Sequence, residues 1–229
     1  MKMVSLSDRM KDNYEIRSQS SLMRRTPVIL RLDGKAFHTL TRGCEKPFDK
    51  NLNDCMHFAS LEVMKEVQGS KCAYIQSDEI SILIIDYEKF NTDAWFDYNI
   101  QKMVSISSSV CSVSFTEKFG KRAYFDSRVF NIPREEVCNY FIWRQTDWIR
   151  NSLQMLARVY YSAKQMKNKQ TPDIHEMLHQ KGVNWADLES RWKNGTFISK
   201  QDGTWSKDYE VIFKQDRDRI DKLLIPDEQ

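Results

Sequence analysis

The chain has 229 residues, 41% hydrophobic and 29% charged, with only 7 Gly and 5 Pro, a composition that excludes a disordered or fibrous protein. Its formal net charge of +3 is too small to identify a nucleic-acid partner, although it leaves room for local basic patches. Five widely spaced cysteines (Cys44, Cys55, Cys72, Cys111, Cys138), odd in number and without a C-x-x-C pair, argue against a zinc site or a disulfide framework and read as buried reduced thiols.

The start, Met1-Lys2-Met3-Val4-Ser5, is too polar for a signal peptide, and no apolar run reaches membrane-spanning length, so a cytoplasmic protein is expected. The β-branched run Thr26 to Asp33 predicts a buried strand that ends at Asp33-Gly34. Asp49 caps a predicted helix over roughly 50–68, with Leu52, Met56, Ala59, Val63 and Val67 on one stripe. Strands over about Lys71 to Gln76 and Ile80 to Asp86 leave Ser77-Asp78-Glu79 as the tip of a tight hairpin. A helix over roughly 93–118 places Phe96, Ile100, Met103, Val104, Ser107, Val110, Cys111 and Phe115 on one face, with the cluster Ser105 to Ser109 as small residues packing on a sheet. Ala123 to Ile132 predicts another strand, and Pro133 opens a long helix to about Ser162. Thr171-Pro172 starts a shorter helix that Gly182 ends, and Asp202-Gly203 marks a late hairpin.

The order β-α-β-β-α-β is the split plan of ferredoxin-like folds, which polymerase palms and nucleotide cyclases share. The expected class is therefore α+β: a palm-like ferredoxin-type sheet over residues 1–132 and a mainly helical extension over 133–229, packed as one unit. In such a unit the first strand and the hairpin are neighbours, so Asp33 converges with Asp78 and Glu79 despite their separation in sequence. Converging carboxylates repel unless a cation lies among them, and magnesium suits a few carboxylates plus substrate phosphates. A two-metal arrangement activates a hydroxyl and neutralises a leaving pyrophosphate. Asp33-Gly34-Lys35-Ala36-Phe37-His38 adds a glycine turn beside the acids, with Lys35 and His38 at hand for phosphate. The residues alone thus predict a metal–phosphate site on a palm-like sheet. An Asp-Gly pair by itself is more often an ordinary turn, and the second acidic tip is what tilts the weight.

The segment Arg31 to His38 resembles the signature of the tRNA(His) guanylyltransferase family. So do Lys46-Pro47-Phe48-Asp49, Gln76 to Ser81, Phe125-Asp126-Ser127-Arg128, Trp143 to Asp147, Gly182-Val183-Asn184-Trp185 and Lys193-Asn194-Gly195-Thr196, seven blocks in order over most of the chain. The resemblance implies magnesium, activation of a 5′-monophosphorylated tRNA by ATP or GTP, and attack on that end by the 3′-hydroxyl of a nucleoside triphosphate. It implies Asp33, Asp78 and the Gly34 carbonyl as metal ligands, with Asp33, Asp78 and Glu79 as the catalytic acids. It implies a nucleotide pocket of Asp33, Gly34, Lys35, Ala36, Phe37, His38, Ser77 and Asp78, with Lys46 on the triphosphate. Arg128, Arg144 and Asn151 are expected to hold phosphates or the tRNA end, and a homotetramer is implied.

One departure is informative. Where eukaryotic tRNA(His) guanylyltransferases carry His-Ile-Asn-Asn-Leu-Tyr-Asn, this chain reads Trp148-Ile149-Arg150-Asn151-Ser152-Leu153-Gln154. That pattern resembles the guanylyltransferase-like branch and implies template-directed addition and repair of 5′-truncated tRNA. A strict tRNA(His) guanylyltransferase, a non-catalytic tRNA-binding protein and a purine-nucleotide cyclase are the rival readings. The intact acids weigh against the second, and the Trp-Arg-Gln and Gly-Val-Asn-Trp blocks against the third. Among the remaining features, His57, His175 and His179 carry no metal-ligand pattern, and the last two read as surface residues. Trp143, Trp148 and Trp185 are expected in the core. Arg24-Arg25, Lys121-Arg122 and Lys164-Lys167-Lys169 are candidate tRNA contacts, with nothing in the sequence to choose among them.

Overall fold

In the computed structural model, which describes residues 5–226, alternate residues of the central strands face two different apolar layers. The N-terminal stretch Met1–Val4, read above as too polar for a signal peptide, lies outside the described residues. The regular elements in chain order are α1 (Leu6–Met10), β1 (Val28–Gly34), α2 (Phe37–Leu40), α3 (Lys50–Glu66), β2 (Ser70–Gln76), β3 (Glu79–Ile84), α4 (Ile100–Phe119) and β4 (Phe125–Asn131). There follow α5 (Arg134–Tyr160), α6 (Ala163–Met166), α7 (Thr171–His179), α8 (Ser190–Asn194), β5 (Thr196–Gln201), β6 (Thr204–Asp208) and α9 (Asp218–Asp221). The strands form one antiparallel sheet of order β4-β1-β3-β2-β5-β6. Its first four strands are the ferredoxin-type split unit expected from the sequence, and the late hairpin at Asp202-Gly203 extends it from the edge of β2.

Period-two alternation decides which side chains go where. Val28, Leu30, Leu32, Ala73, Ile75, Ile80, Ile82 and Ile84 pack against α3 and α4 through Met56, Ala59, Val63, Met103, Cys111 and Phe115. On the opposite face Ile29, Cys72, Tyr74, Leu83 and Phe197 meet α5 and the C-terminal turns through Val137, Phe141, Val211, Phe213 and Ile220. Each fully buried aliphatic side chain contributes roughly 1.5–3 kcal/mol, so both layers are needed to hold the sheet. A third cluster, Leu153, Leu156, Ala157, Ile174 and Leu178, fastens α7 to the second half of α5.

Local chemistry sets the element ends. Asp49 caps α3 by accepting from the Leu52 N–H at 2.7 Å. The helix expected from residue 93 starts instead at Ile100, because Phe96, Asp97 and Tyr98 all take positive φ and Asn99 caps Lys102. Phe96, expected on the apolar face, is therefore left exposed. Of the serine cluster only Ser107 is buried, bonded to Ser127 at 2.8 Å, while Ser105 and Ser109 turn outward and bond backbone carbonyls of their own helix. Trp143, expected in the core, is exposed on α5, whereas Trp148 is buried. Cys55, Cys72, Cys111 and Cys138 are buried free thiols, with Cys44 half-buried.

Candidate active site

β1 and β3 pair so that Asp33 lies directly across from Glu79, and β1 and β4 pair so that Asp33 also faces Asp126. The hairpin tip closes on the same spot: the Gly34 N–H donates to the Asp78 carbonyl oxygen at 3.0 Å. The acids of two strand ends, some 45 residues apart in sequence, thus line one cavity of ≈ 320 Å³ on the α5 face of the sheet. α5 supplies the facing wall through Arg144, Asp147, Trp148, Asn151, Gln154 and Arg158. Helical spacing explains this wall, since steps of three and four keep those residues on one side of α5.

The carboxylates at this site are in different states. Glu79 is buried and locked: Arg144 donates to it twice, Nε at 2.7 Å and Nη2 at 2.8 Å. Gln76 Nε2 donates to it at 3.2 Å, and Arg31 Nε stands 3.2 Å away as an ion pair whose alignment falls short of a hydrogen bond. Asp33 has only a loose guanidinium neighbour, Arg31 at 3.8 Å. Desolvation, then the Glu79 charge, raises the Asp33 carboxyl above the ordinary carboxylate range. Burial likewise pushes Asp78 up to about 6, with Asp33 and Glu79 adding to it. Two hard-oxygen donors that resist ionisation side by side are the groups a divalent cation would relieve. Among the described residues no group of three or more His, Cys, Asp or Glu is arranged to hold a metal.

The segment from Gly34 to His38, expected to cradle a nucleotide, runs on from the end of β1 and does not line this cavity. Ala36 takes φ +56°, and the Lys35 N–H donates to the Tyr124 carbonyl oxygen at 2.8 Å, which ties the loop to the approach of β4. Gly34 is required by contact: a Cβ there would sit 2.3 Å from the Phe37 ring. That ring is buried against Phe115 and Phe125, so Phe37 can offer a nucleotide only its backbone. Lys35, His38 and Lys46 are exposed along the loop and do not line the acid cavity, and Ser77 does. Arg128 is exposed on β4, paired with Asp126 at 3.1 Å and lying across from Arg31. Arg144, expected to reach a phosphate, instead directs Nε and Nη2 to Glu79 and to Asp147, with Trp143 stacked over its guanidinium at 4.5 Å. Asn151, expected to hold phosphates or the tRNA end, lines the cavity and leans on Asp147 at 3.4 Å. Sequence reasoning did not single out Gln76, Asp126, Asp147, Gln154 or Arg158. The polar stripe of α5 was the available signal for the last three, and only the strand register reveals Asp126.

Comparisons with known proteins fit this geometry. A family model described as tRNAHis guanylyltransferase (Thg1) matches residues 7–133. A probable tRNA(His) guanylyltransferase of Drosophila melanogaster is 30% identical over 203 residues, 79% of this chain and 69% of its own length. A bacterial tRNA(His) guanylyltransferase-like protein solved in complex with ATP has TM-score 0.93 and 39% identity, covering 97% of this chain and 100% of its own. A bacterial tRNA(His) guanylyltransferase-like protein solved with GTP has TM-score 0.82 and 36% identity, covering 96% and 98%.

Proposed function

The chain belongs to the tRNAHis guanylyltransferase family, and we propose that it adds nucleotides to the 5′ end of a tRNA in the 3′-to-5′ direction, choosing each one by pairing with the opposing strand. The observation that carries this reading is the meeting of Asp33 and Asp78 in one cavity, where among the described residues the one ion pair is the loose Arg31–Asp33 contact at 3.8 Å, beside a Glu79 paired with Arg144. Asp33, Asp78 and the Gly34 carbonyl would hold magnesium, which supplies charge neutralisation for the transferred phosphoryl group and lowers the pKa of the attacking hydroxyl. Related bacterial proteins bind ATP and GTP, which supports the same nucleotides here.

The chain's own residues do the positioning. The Asp33–His38 loop and Ser77 would cradle the nucleoside triphosphate, with Lys35, His38 and Lys46 on its phosphates. Arg128 and Asn151 would meet phosphates at the tRNA end. Glu79 would anchor Arg144 and so fix the α5 wall against the sheet. In this reading the activated 5′-phosphate is attacked by the 3′-hydroxyl of the incoming nucleotide, and the bond to the activating nucleotide breaks. Residues 1–132 and 133–229 would work as one unit, in a cytoplasmic homotetramer. No described helix is long and apolar enough to cross a membrane.

Template reading is supported by Trp148, which stands where the eukaryotic enzymes carry His. Its indole is buried beside Phe48 at the cavity wall, the ring centroids 6.3 Å apart. At this position an indole offers a single N–H donor where an imidazole would offer two ring nitrogens, which supports leaving selection to base pairing. The test supplies tRNAs lacking the first 5′ nucleotide, varies the opposing 3′-strand base, and sequences the product. The added nucleotide should change with the template base. Guanine added whatever the opposing base, and only to tRNA(His), would establish the strict guanylyltransferase instead.

A further inference from the structure

The three basic patches are not equivalent once folded. Arg24 is an internal staple: it reaches Asp86 at 2.6 Å, Asp97 at 2.9 Å and the Thr92 carbonyl oxygen at 3.1 Å. Arg25 lies over Phe90. Lys121 and Arg122 follow the Gly120 turn that leads to Tyr124, the residue tied to Lys35, so they belong to the nucleotide-loop side. The third patch surrounds a cavity of ≈ 470 Å³, where Arg158, Lys164, Lys167 and Lys169 stand around Gln154, Ala163, Met166 and Ile174.

That cavity shares Gln154 and Arg158 with the acid cavity, so the two adjoin along α5 and together offer a groove. From Arg144 to Arg158 the helix rises roughly 21 Å at about 1.5 Å per residue. That is the reach of several nucleotides at about 3.4 Å each. No carboxylate lines the basic end, and none of its four cations is in an ion pair among the described residues. The lysines ride on a held scaffold. A capping box between Ser162 and Gln165 shapes α6, and Met166 packs into the cluster of Leu156, Ile174 and Leu178.

We infer that this groove seats the sugar–phosphate backbone of the RNA strand that runs on from the reacting 5′ end; the inference rests on the tRNA reading above. A cationic rim over a floor of Ala163, Met166 and Ile174 matches a chain whose phosphates stay paired while its sugars shed water. A compact triphosphate calls for converging donors, and this floor offers apolar side chains.

The test compares the full-length parent with the Lys164→Gln/Lys167→Gln/Lys169→Gln variant, whose changes fall on exposed side chains outside the nucleotide site. Binding of a 5′-monophosphorylated tRNA is measured at several salt concentrations, alongside binding of a fluorescent GTP analogue. The variant should bind tRNA roughly tenfold more weakly at low salt, with a log–log salt slope shallower by about 2–3, and should hold GTP unchanged. Equal tRNA affinity and slope in parent and variant would overturn the inference. So would a loss confined to GTP, which would make the cavity a triphosphate pocket. A parent that binds no tRNA would sink the functional reading first and this inference with it, and that outcome is visible in the parent alone.

Discussion

Asp78 is the residue whose environment says most about what the site lacks. With its carboxyl at about 6 against the ordinary 3.8, the fold favours the protonated form. In metal-free buffer its contribution to stability is therefore full below about 3.8 and is lost as the pH rises through about 6. Asp78→Asn removes that loss, so the variant should melt higher than the parent above pH 6 in EDTA, and magnesium should stabilise only the parent. Thermal melts with EDTA or magnesium check this, and equal magnesium shifts in both proteins would remove Asp78 from the metal. Nucleotide addition by the variant should be abolished. The Arg144–Glu79 pair makes the opposite kind of prediction. Both groups are buried, so Arg144→Met strips Glu79 of its two best hydrogen bonds, leaving the misaligned Arg31 and Gln76, and should cost roughly 1.5–3 kcal/mol in urea denaturation. Adding Glu79→Gln should recover part of that. Measurable nucleotide addition by the double variant would mark Glu79 as an anchor; complete loss of activity with stability restored would mark it as a participant in the chemistry.

At the scale of elements, the junction of β1 with the nucleotide loop is the tightest piece of construction. Gly34→Ala drives a methyl group to 2.3 Å from a Phe37 ring that Phe115 and Phe125 hold in place. The loop rather than the ring must move, at a cost of about 1–3 kcal/mol. A weaker nucleoside triphosphate affinity with a modestly lowered melting midpoint is expected, read by nucleotide titration and thermal melts; unchanged affinity would detach this loop from nucleotide binding. The β-α-β-β-α-β order and both hairpins were legible in the sequence, because turn residues and alternating hydrophobicity are local signals. The start of α4 was not, because Phe96, Asp97 and Tyr98 take positive φ in a segment whose backbone is bonded to the distant Ser20 and Leu22. Trp143 was misplaced for a related reason: its ring lies exposed against the Arg144 guanidinium, which Glu79 holds from β3, and outside both apolar layers.

At the scale of the whole molecule, β5 pairs with β2 to join the two halves of the chain, and one side chain of α3 reaches β5. His57 is fully buried there, its Nε2 2.8 Å from the Thr196 hydroxyl. Burial, aided by Lys207, lowers its pKa to about 4 from 6.5, with Asp54 pulling the other way and Arg191 reinforcing the drop. A depressed value means that the neutral ring stabilises the fold above pH 6.5 and that this stability is lost as the pH falls through about 4. The gap between those values corresponds to about 3 kcal/mol. His57→Gln, which keeps a donor for Thr196, should flatten the fall in melting midpoint between pH 6.5 and 4.5. An identical acid profile in the two proteins would place the acid sensitivity elsewhere.

What the sequence determined by itself was whatever depends on neighbours along the chain: the apolar alternation of β1 to β3, the cap at Asp49, and the acids at two strand ends. It also carried the blocks that resemble the tRNA(His) guanylyltransferases. Only the tertiary structure decided the partners of each acid, since Glu79 meets Arg144 across 65 residues while Asp33 has only the loose Arg31 contact at 3.8 Å among the described residues. It alone ranked the three basic patches, because ion pairing of Arg24 with Asp86 and Asp97 depends on packing that no local pattern encodes. Electrostatics acts through space over a few ångströms, and the chain's own order says nothing about which distant charges will stand that close.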